Sequence, residues 1–105
     1  MPRESEIQRD ILDYLELRGF LAWRNQIQGI KVNGKTIKNP NKGQPDIWAV
    51  KRGLLLGVEV KTDLGRLFDK QIEWIHLAQQ FGVPIIVAHS VSELSETLLE
   101  LTQFR

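Results

Sequence analysis

The sequence predicts an α/β fold in which a central mixed β-sheet is flanked by helices, with elements in the order αβββαβα. Three observations lead to this prediction. The chain begins and ends with segments whose apolar residues recur at helical spacing, and two apolar runs in its middle are joined by a tight-turn sequence. A further helical segment separates the second run from a last buried strand, and such a strand–helix–strand unit makes its two strands parallel.

Length and composition favour one domain over residues 1–105, because 105 residues are too few for two useful cores. The chain is 42% hydrophobic and 26% charged, as globular proteins usually are. No apolar run approaches the roughly 20 residues that span a bilayer. The charged N-terminus lacks the apolar stretch of a secretory signal, so we expect a cytoplasmic protein with no membrane partner. Without cysteine, any metal must bind oxygen ligands or the two histidines.

The first elements are a helix over about residues 4–18, which Gly19 ends, and a strand over residues 20–25. The apolar residues that recur at helical spacing in this helix are Ile7, Ile11, Leu12 and Leu15. Two short runs rich in branched residues, 46–50 and 54–61, then predict a β-hairpin.

The C-terminal elements alternate between helix and strand. A helix over residues 67–81 is predicted from Phe68, Ile72, Ile75 and Ala78, which we expect on its buried face. Residues 83–88 form the last strand, with Pro84 near its beginning. Ser90 and Glu93 have capping-box spacing, so a final helix follows them.

Residues 26–44 are predicted to form a basic arm or loop. From Arg24 to Pro45 the chain has five basic residues and no acidic one, although the whole chain carries a net charge of only +1. This segregation suits contact with phosphates, and a solvated loop without that role is the alternative. Asn33-Gly34 is typical of a tight hairpin turn. The candidate DNA-binding residues are Arg24, Lys31, Lys35, Lys38 and Lys42.

The hairpin brings three ionisable side chains to one face. A loop of two or of four residues gives the same register, with Asp46 directly opposite Glu59 and their Cβ atoms about 4.5–5.5 Å apart. Lys61 shares their face because side chains repeat every second residue. Two carboxylates this close repel by roughly 3 kcal/mol at an effective dielectric near 20, which a cation such as Mg²⁺ would relieve. Spacing alone leaves open the alternative of a solvated salt bridge to Lys61.

Two further polar residues fall on helix faces that we expect to be buried. Gln71 lies within the apolar stripe of the second helix, and Glu4 precedes the buried face of the first. A satisfied core amide and a helix-capping acid are the respective alternatives.

Together these residues resemble the PD-(D/E)XK nucleases, and most closely the stand-alone members of their VRR-NUC branch. The motifs are Gly43-Gln44-Pro45-Asp46, Glu59-Val60-Lys61, Gln71 on the following helix and Glu4 ahead of Ile7-Gln8. The resemblance covers nearly the whole chain, and it implies the restriction-endonuclease-like αβββαβ core.

The resemblance also implies roles for individual residues. Asp46 and Glu59 would bind Mg²⁺ or Mn²⁺ with the Val60 carbonyl, and Glu4 would complete the site through water. Lys61 would position the attacking water, and Gln71 would steady the site or the scissile phosphate.

Stand-alone members cut branched DNA, including four-way (Holliday) junctions, and work as homodimers. The chain is therefore expected to be a metal-dependent DNA endonuclease and homodimer, with no small-molecule cofactor. The alternative is a nucleic-acid-binding module that keeps the fold and does not cut.

Overall fold

The computed structural model describes residues 2–25, 30–37, 42–63 and 65–102, which form three helices, a mixed four-stranded sheet and a separate hairpin. The helices are α1 (Glu4–Leu17), α2 (Asp69–Gln80) and α3 (Val91–Thr102). The strands are β1 (Leu21–Arg24), β2 (Ile30–Val32), β3 (Lys35–Ile37), β4 (Ile47–Lys51), β5 (Leu54–Val60) and β6 (Ile85–Ala88). The predicted α/β class is confirmed, and the structure adds β2 and β3, which pair around Asn33-Gly34 within the basic arm.

The sheet has the strand order β1-β4-β5-β6, in which only the β5–β6 pair is parallel. The β4–β5 hairpin pairs Ile47 with Val58 and Lys51 with Leu54, which is the register predicted from the sequence. Arg52 and Gly53 form the two-residue loop, with φ angles of 49° and 80° that suit the twist of a hairpin. The register therefore follows from the turn.

One face of the sheet carries the hydrophobic core, which α1 and α3 cover. Ile7, Ile11 and Leu15 lie one turn apart on the buried side of α1. α3 begins where the Ser90 hydroxyl accepts a hydrogen bond from the Glu93 N–H at 3.1 Å, as the capping spacing predicts. The strand residues in this core are Ile47, Ala49, Leu54, Leu56, Val58, Val60, Ile86 and Ala88.

The opposite face carries α2, whose predicted buried stripe is only partly correct. Phe68 and Ile72 were expected inside, and they are 70% and 39% exposed. α2 begins at Asp69, and Phe68 precedes it with an extended backbone, so its ring does not follow the helical stripe. The side chains that α2 buries are Gln71 and Ala78, which lie two turns apart.

Close packing on β5 fixes the segment that precedes β4. Pro45 is fully buried, and a Cβ atom added to Gly57 would lie 2.6 Å from its Cγ and 2.7 Å from Ile85 Cδ1. Glycine at this position therefore lets Pro45 rest directly on the sheet, immediately before Asp46.

Gly57→Ala should lower the free energy of unfolding by about 1–3 kcal/mol, because the added methyl has to displace the ring of Pro45. Urea unfolding of the variant and the wild type would measure the difference. An unchanged urea midpoint would contradict the close packing described here.

Candidate active site

Two carboxylates lie side by side where β4 begins and β5 ends. Asp46 and Glu59 are 4% and 2% exposed, and their carboxyl groups share a hydrogen bond. The Asp46 Oδ2 atom also accepts a hydrogen bond from the Val60 N–H at 2.7 Å. The hairpin register thus brings together the two acids that the sequence placed opposite each other.

Gln71 connects α2 to this acid pair. Its Nε2 donates to Glu59 Oε1 at 2.9 Å, and its Oε1 accepts the Phe68 N–H at 2.8 Å. The amide is therefore fully oriented: one end is held by the backbone at the start of α2, and the other holds the carboxylate. This confirms that Gln71 points inward, with a polar partner that explains its place on a buried helix face.

The acid pair is electrostatically frustrated in the absence of a cation. Burial, followed by the negative charge of Asp46 and the hydrogen bond to it, raises the pKa of Glu59 to about 9, although Lys61 lowers it. Burial and the charge of Asp46 also raise the pKa of Glu4, which α1 brings toward the same site. The two acids from the hairpin and Glu4 from α1 thus act on one another electrostatically.

Lys61 lies just beyond β5, and its side chain is buried. Among the residues described, the ion pairs are Lys70–Glu73 and His89–Glu93, so Lys61 forms no salt bridge with the acid pair. Its Nζ lies 4.8 Å from the centroid of the Phe68 ring, within the range of a cation–π interaction. The alternative of a solvated cross-strand salt bridge therefore does not describe this cluster.

The donor set fits a hard divalent cation. Within the described ranges, no three His, Cys, Asp or Glu side chains lie close enough together to hold a metal, so protein carboxylates would provide two ligands. Mg²⁺ is commonly held by one or two carboxylates together with water and substrate phosphate. Asp46 and Glu59 are adjacent and buried, and the pKa of Glu59 is raised. A divalent cation would stabilise the ionised form of both side chains.

The predicted DNA-binding residues are spread around the basic arm. Arg24 ends β1 and donates to the Ser5 carbonyl at 3.3 Å, while Lys35 and Lys42 are exposed. Lys31 belongs to β2, and its side chain lies outside the described part of the structure, as does all of Lys38.

Sequence reasoning missed Asn25 and misplaced Phe68. The Asn25 N–H donates to the Asp46 carbonyl at 2.8 Å, and its Nδ2 donates to Gln44 Oε1 and the Pro45 carbonyl. These bonds hold the segment that carries Asp46 against the end of β1. An asparagine directly after a strand is a signal for such a role, but it does not identify partners about twenty positions away.

The arrangement of this sheet and its helices is that of the PD-(D/E)XK-type nucleases. The chain belongs to the VRR-NUC domain family, whose model matches residues 3–92. A search of curated proteins gives no significant match.

Solved structures agree with this assignment. One VRR-NUC domain has a TM-score of 0.67 at 20% identity, with 90% of this chain and 92% of the other covered. A second VRR-NUC domain protein has a TM-score of 0.64 at 17% identity, with 98% of this chain and 90% of the other covered. Archaeoglobus fulgidus Hjc, a Holliday junction resolvase, has a TM-score of 0.55 at 29% identity, covering 79% of this chain and 63% of Hjc. Family and fold together support a nuclease.

Metal-free protein should lose stability as the pH rises from about 4.5 to about 9. In this range the folded chain keeps a proton on Glu59 that the unfolded chain releases, so the stabilisation is complete below 4.5 and is lost as the pH approaches the raised pKa. Glu59→Gln removes this titration. In EDTA, the variant should therefore have the higher urea midpoint at alkaline pH and the flatter pH profile. Glu16→Gln, at an exposed position of α1, is the matched control, and equal profiles for wild type and Glu59→Gln would contradict this account.

Proposed function

We propose that this protein is a Mg²⁺- or Mn²⁺-dependent endonuclease that hydrolyses phosphodiester bonds in branched DNA such as four-way junctions. The observation that carries the proposal is the buried acid pair of Asp46 and Glu59, beside a lysine that neutralises neither acid through an ion pair. Membership of the VRR-NUC family supports the class of reaction. The similarity to Hjc, named as a Holliday junction resolvase, supports the choice of branched DNA.

The metal would be held by Asp46, Glu59 and the Val60 carbonyl, with Glu4 contributing through water. When bound, it supplies Lewis-acid activation of the phosphate and lowers the pKa of the attacking water. The Val60 N–H orients the Asp46 carboxylate, and Gln71 orients that of Glu59, so neither acid has to reorganise when DNA arrives.

Lys61 would act on the substrate side of the site. Its ammonium group can donate a hydrogen bond to the attacking water and attract the scissile phosphate, whose negative charge grows in the transition state. The Phe68 ring over its Nζ limits the positions that this flexible side chain can take. The basic arm would add contacts with neighbouring phosphates, which position the DNA independently of its sequence.

Two substitutions should separate metal binding from catalysis. Asp46→Asn should weaken Mn²⁺ binding and reduce DNA cleavage by about 100-fold or more, because a metal ligand is lost. Lys61→Ala should reduce cleavage by a similar factor and leave Mn²⁺ binding intact. Calorimetric titration with Mn²⁺ and cleavage of four-way, flap, splayed and linear DNA would measure both effects.

Asp13→Asn, on the exposed side of α1, is the matched control and should behave as wild type. Undiminished cleavage by Asp46→Asn or Lys61→Ala would contradict the proposal. A different result is that the wild-type protein binds branched DNA in a salt-dependent way and cuts no DNA with either metal. That result would favour the alternative of a nucleic-acid-binding module without catalytic activity.

We further propose that the active form is a homodimer through an exposed apolar patch on the α2 face of the sheet. The patch consists of Trp23, Trp48, Leu55, Trp74, Leu77 and Phe81. The last five line a cavity of about 330 Å³ whose lining residues are all apolar, and Trp23 pairs with Trp48 across β1 and β4. A second copy is the fitting partner, because an uncharged patch is complementary to itself across a twofold axis. Trp48 lies two residues from Asp46 on the same face, so this contact would bring two sites close together for symmetric cutting.

Leu77→Glu should convert the dimer to a monomer, because it buries a charge in the apolar contact. Leu17→Glu makes the same change on α1, outside the patch, and should leave the dimer intact; the two leucines are 45% and 84% exposed. Sedimentation velocity at micromolar concentration would measure the oligomeric state. A monomeric wild type, or equal behaviour of the two variants, would count against the patch as a dimer interface.

A further inference from the structure

A cavity of about 500 Å³ lies between residues 42–44 and the start of α2. The two walls meet closely at Gly43, where an added Cβ atom would lie 2.6 Å from the Lys70 carbonyl oxygen. The cavity lies within the size range of pockets that hold small organic groups. Gln71 lines this cavity and also donates a hydrogen bond to Glu59, so one side chain connects the cavity to the acid pair.

The Phe68 ring lines this cavity and remains largely open to solvent. The residue is 70% exposed although Lys61 Nζ lies over the ring. Its backbone N–H is held by Gln71, which in turn holds Glu59, so the backbone from which the ring projects has a fixed position relative to Glu59. A large exposed aromatic ring with a fixed base, beside a phosphate-processing site, is suited to stacking on a nucleobase.

The charges on the cavity walls favour a phosphate-bearing ligand. Lys42 and Lys70 are both exposed there, against the single acid Asp69. Lys70 has an ion-pair partner, Glu73, at 3.8 Å, but both side chains are about two-thirds exposed and such pairs are weak. Either lysine can therefore turn toward a DNA phosphate.

We propose that this cavity binds one unstacked nucleotide next to the scissile phosphate, with its base on the Phe68 ring and its phosphate near Lys42 and Lys70. The inference rests on the proposed nuclease function and adds a substrate preference to it. A base within a continuous duplex is paired and stacked on both sides, so it cannot reach the ring without an unstacking cost. Splayed arms and flaps supply unpaired bases at the branch point, and the pairs that border a four-way junction are easier to open than those within a continuous duplex. The cavity thereby favours branched DNA.

The test compares Phe68→Leu and Phe68→Trp with wild type on splayed-arm DNA in EDTA, by fluorescence anisotropy. A set of DNAs carries a single abasic position, moved stepwise through the branch point. One abasic position should weaken wild-type binding by about 5- to 100-fold, the range that base–aromatic stacking supplies. Phe68→Leu should cause a similar loss on intact DNA, while Phe68→Trp retains tight binding.

The decisive measurement combines the two changes. If the ring stacks on that base, Phe68→Leu should cause no further loss on the DNA that already lacks it, because both changes remove one interaction. Losses that multiply, or the absence of any sensitive abasic position, would overturn the inference. Cleavage with Mg²⁺ or Mn²⁺, measured in parallel, separates the two proposals. If the protein cuts DNA but the two losses of affinity multiply, the nuclease function stands and the subsite is wrong. If the two changes together cost no more affinity than one of them but the protein cuts no DNA, the subsite stands and the nuclease function is wrong.

Discussion

The burial of two adjacent carboxyl groups is the constraint on which the rest of this site depends. Asp46 and Glu59 are buried side by side, and this raises the pKa of Glu59 far above that of an ordinary glutamate. Glu59 therefore keeps its proton at neutral pH. The surrounding structure holds the two carboxyl groups together from several directions. The tight turn at Arg52-Gly53 sets the register, and the amide of Gln71 prevents Glu59 from turning away. Under the proposed function, the fold gives up some stability to keep two acids in place for a cation.

Local patterns predicted much of this arrangement because its main determinants are local. A two-residue loop defines every pairing of the β4–β5 hairpin, so the opposition of Asp46 and Glu59 could be worked out without other information. The inward position of Gln71 follows from helical periodicity in the same way. The sequence could not decide whether Lys61 forms a salt bridge with Asp46 or Glu59. The register places Lys61 on their face in either case, and only the structure, which describes all three residues, shows that its ammonium group forms no ion pair with them.

Two features escaped sequence reasoning, one because of an uncertain helix boundary and the other because of contacts between distant segments. Phe68 was assigned to the buried stripe because its spacing from Ile72 and Ile75 is helical, but the helix starts one residue later. One residue of offset is enough to move a side chain from the sheet to the rim of the site. Asn25 escaped because its partners lie beyond the basic arm, and no short-range pattern carries information across that distance.

The bonds made by Asn25 have a mechanical consequence for the basic arm. They join the residue before the arm directly to Gln44, Pro45 and Asp46 after it, so the chain leaves and re-enters the domain at one clamped point. Under the proposed function, displacement of the intervening segment by DNA would therefore not be transmitted to the Asp46 carboxylate. The length of a loop closed in this way has only a small entropic effect on stability. Under the proposed function, the arm is therefore an exchangeable module, whose length and charge can change to suit another DNA shape without moving Asp46 and Glu59.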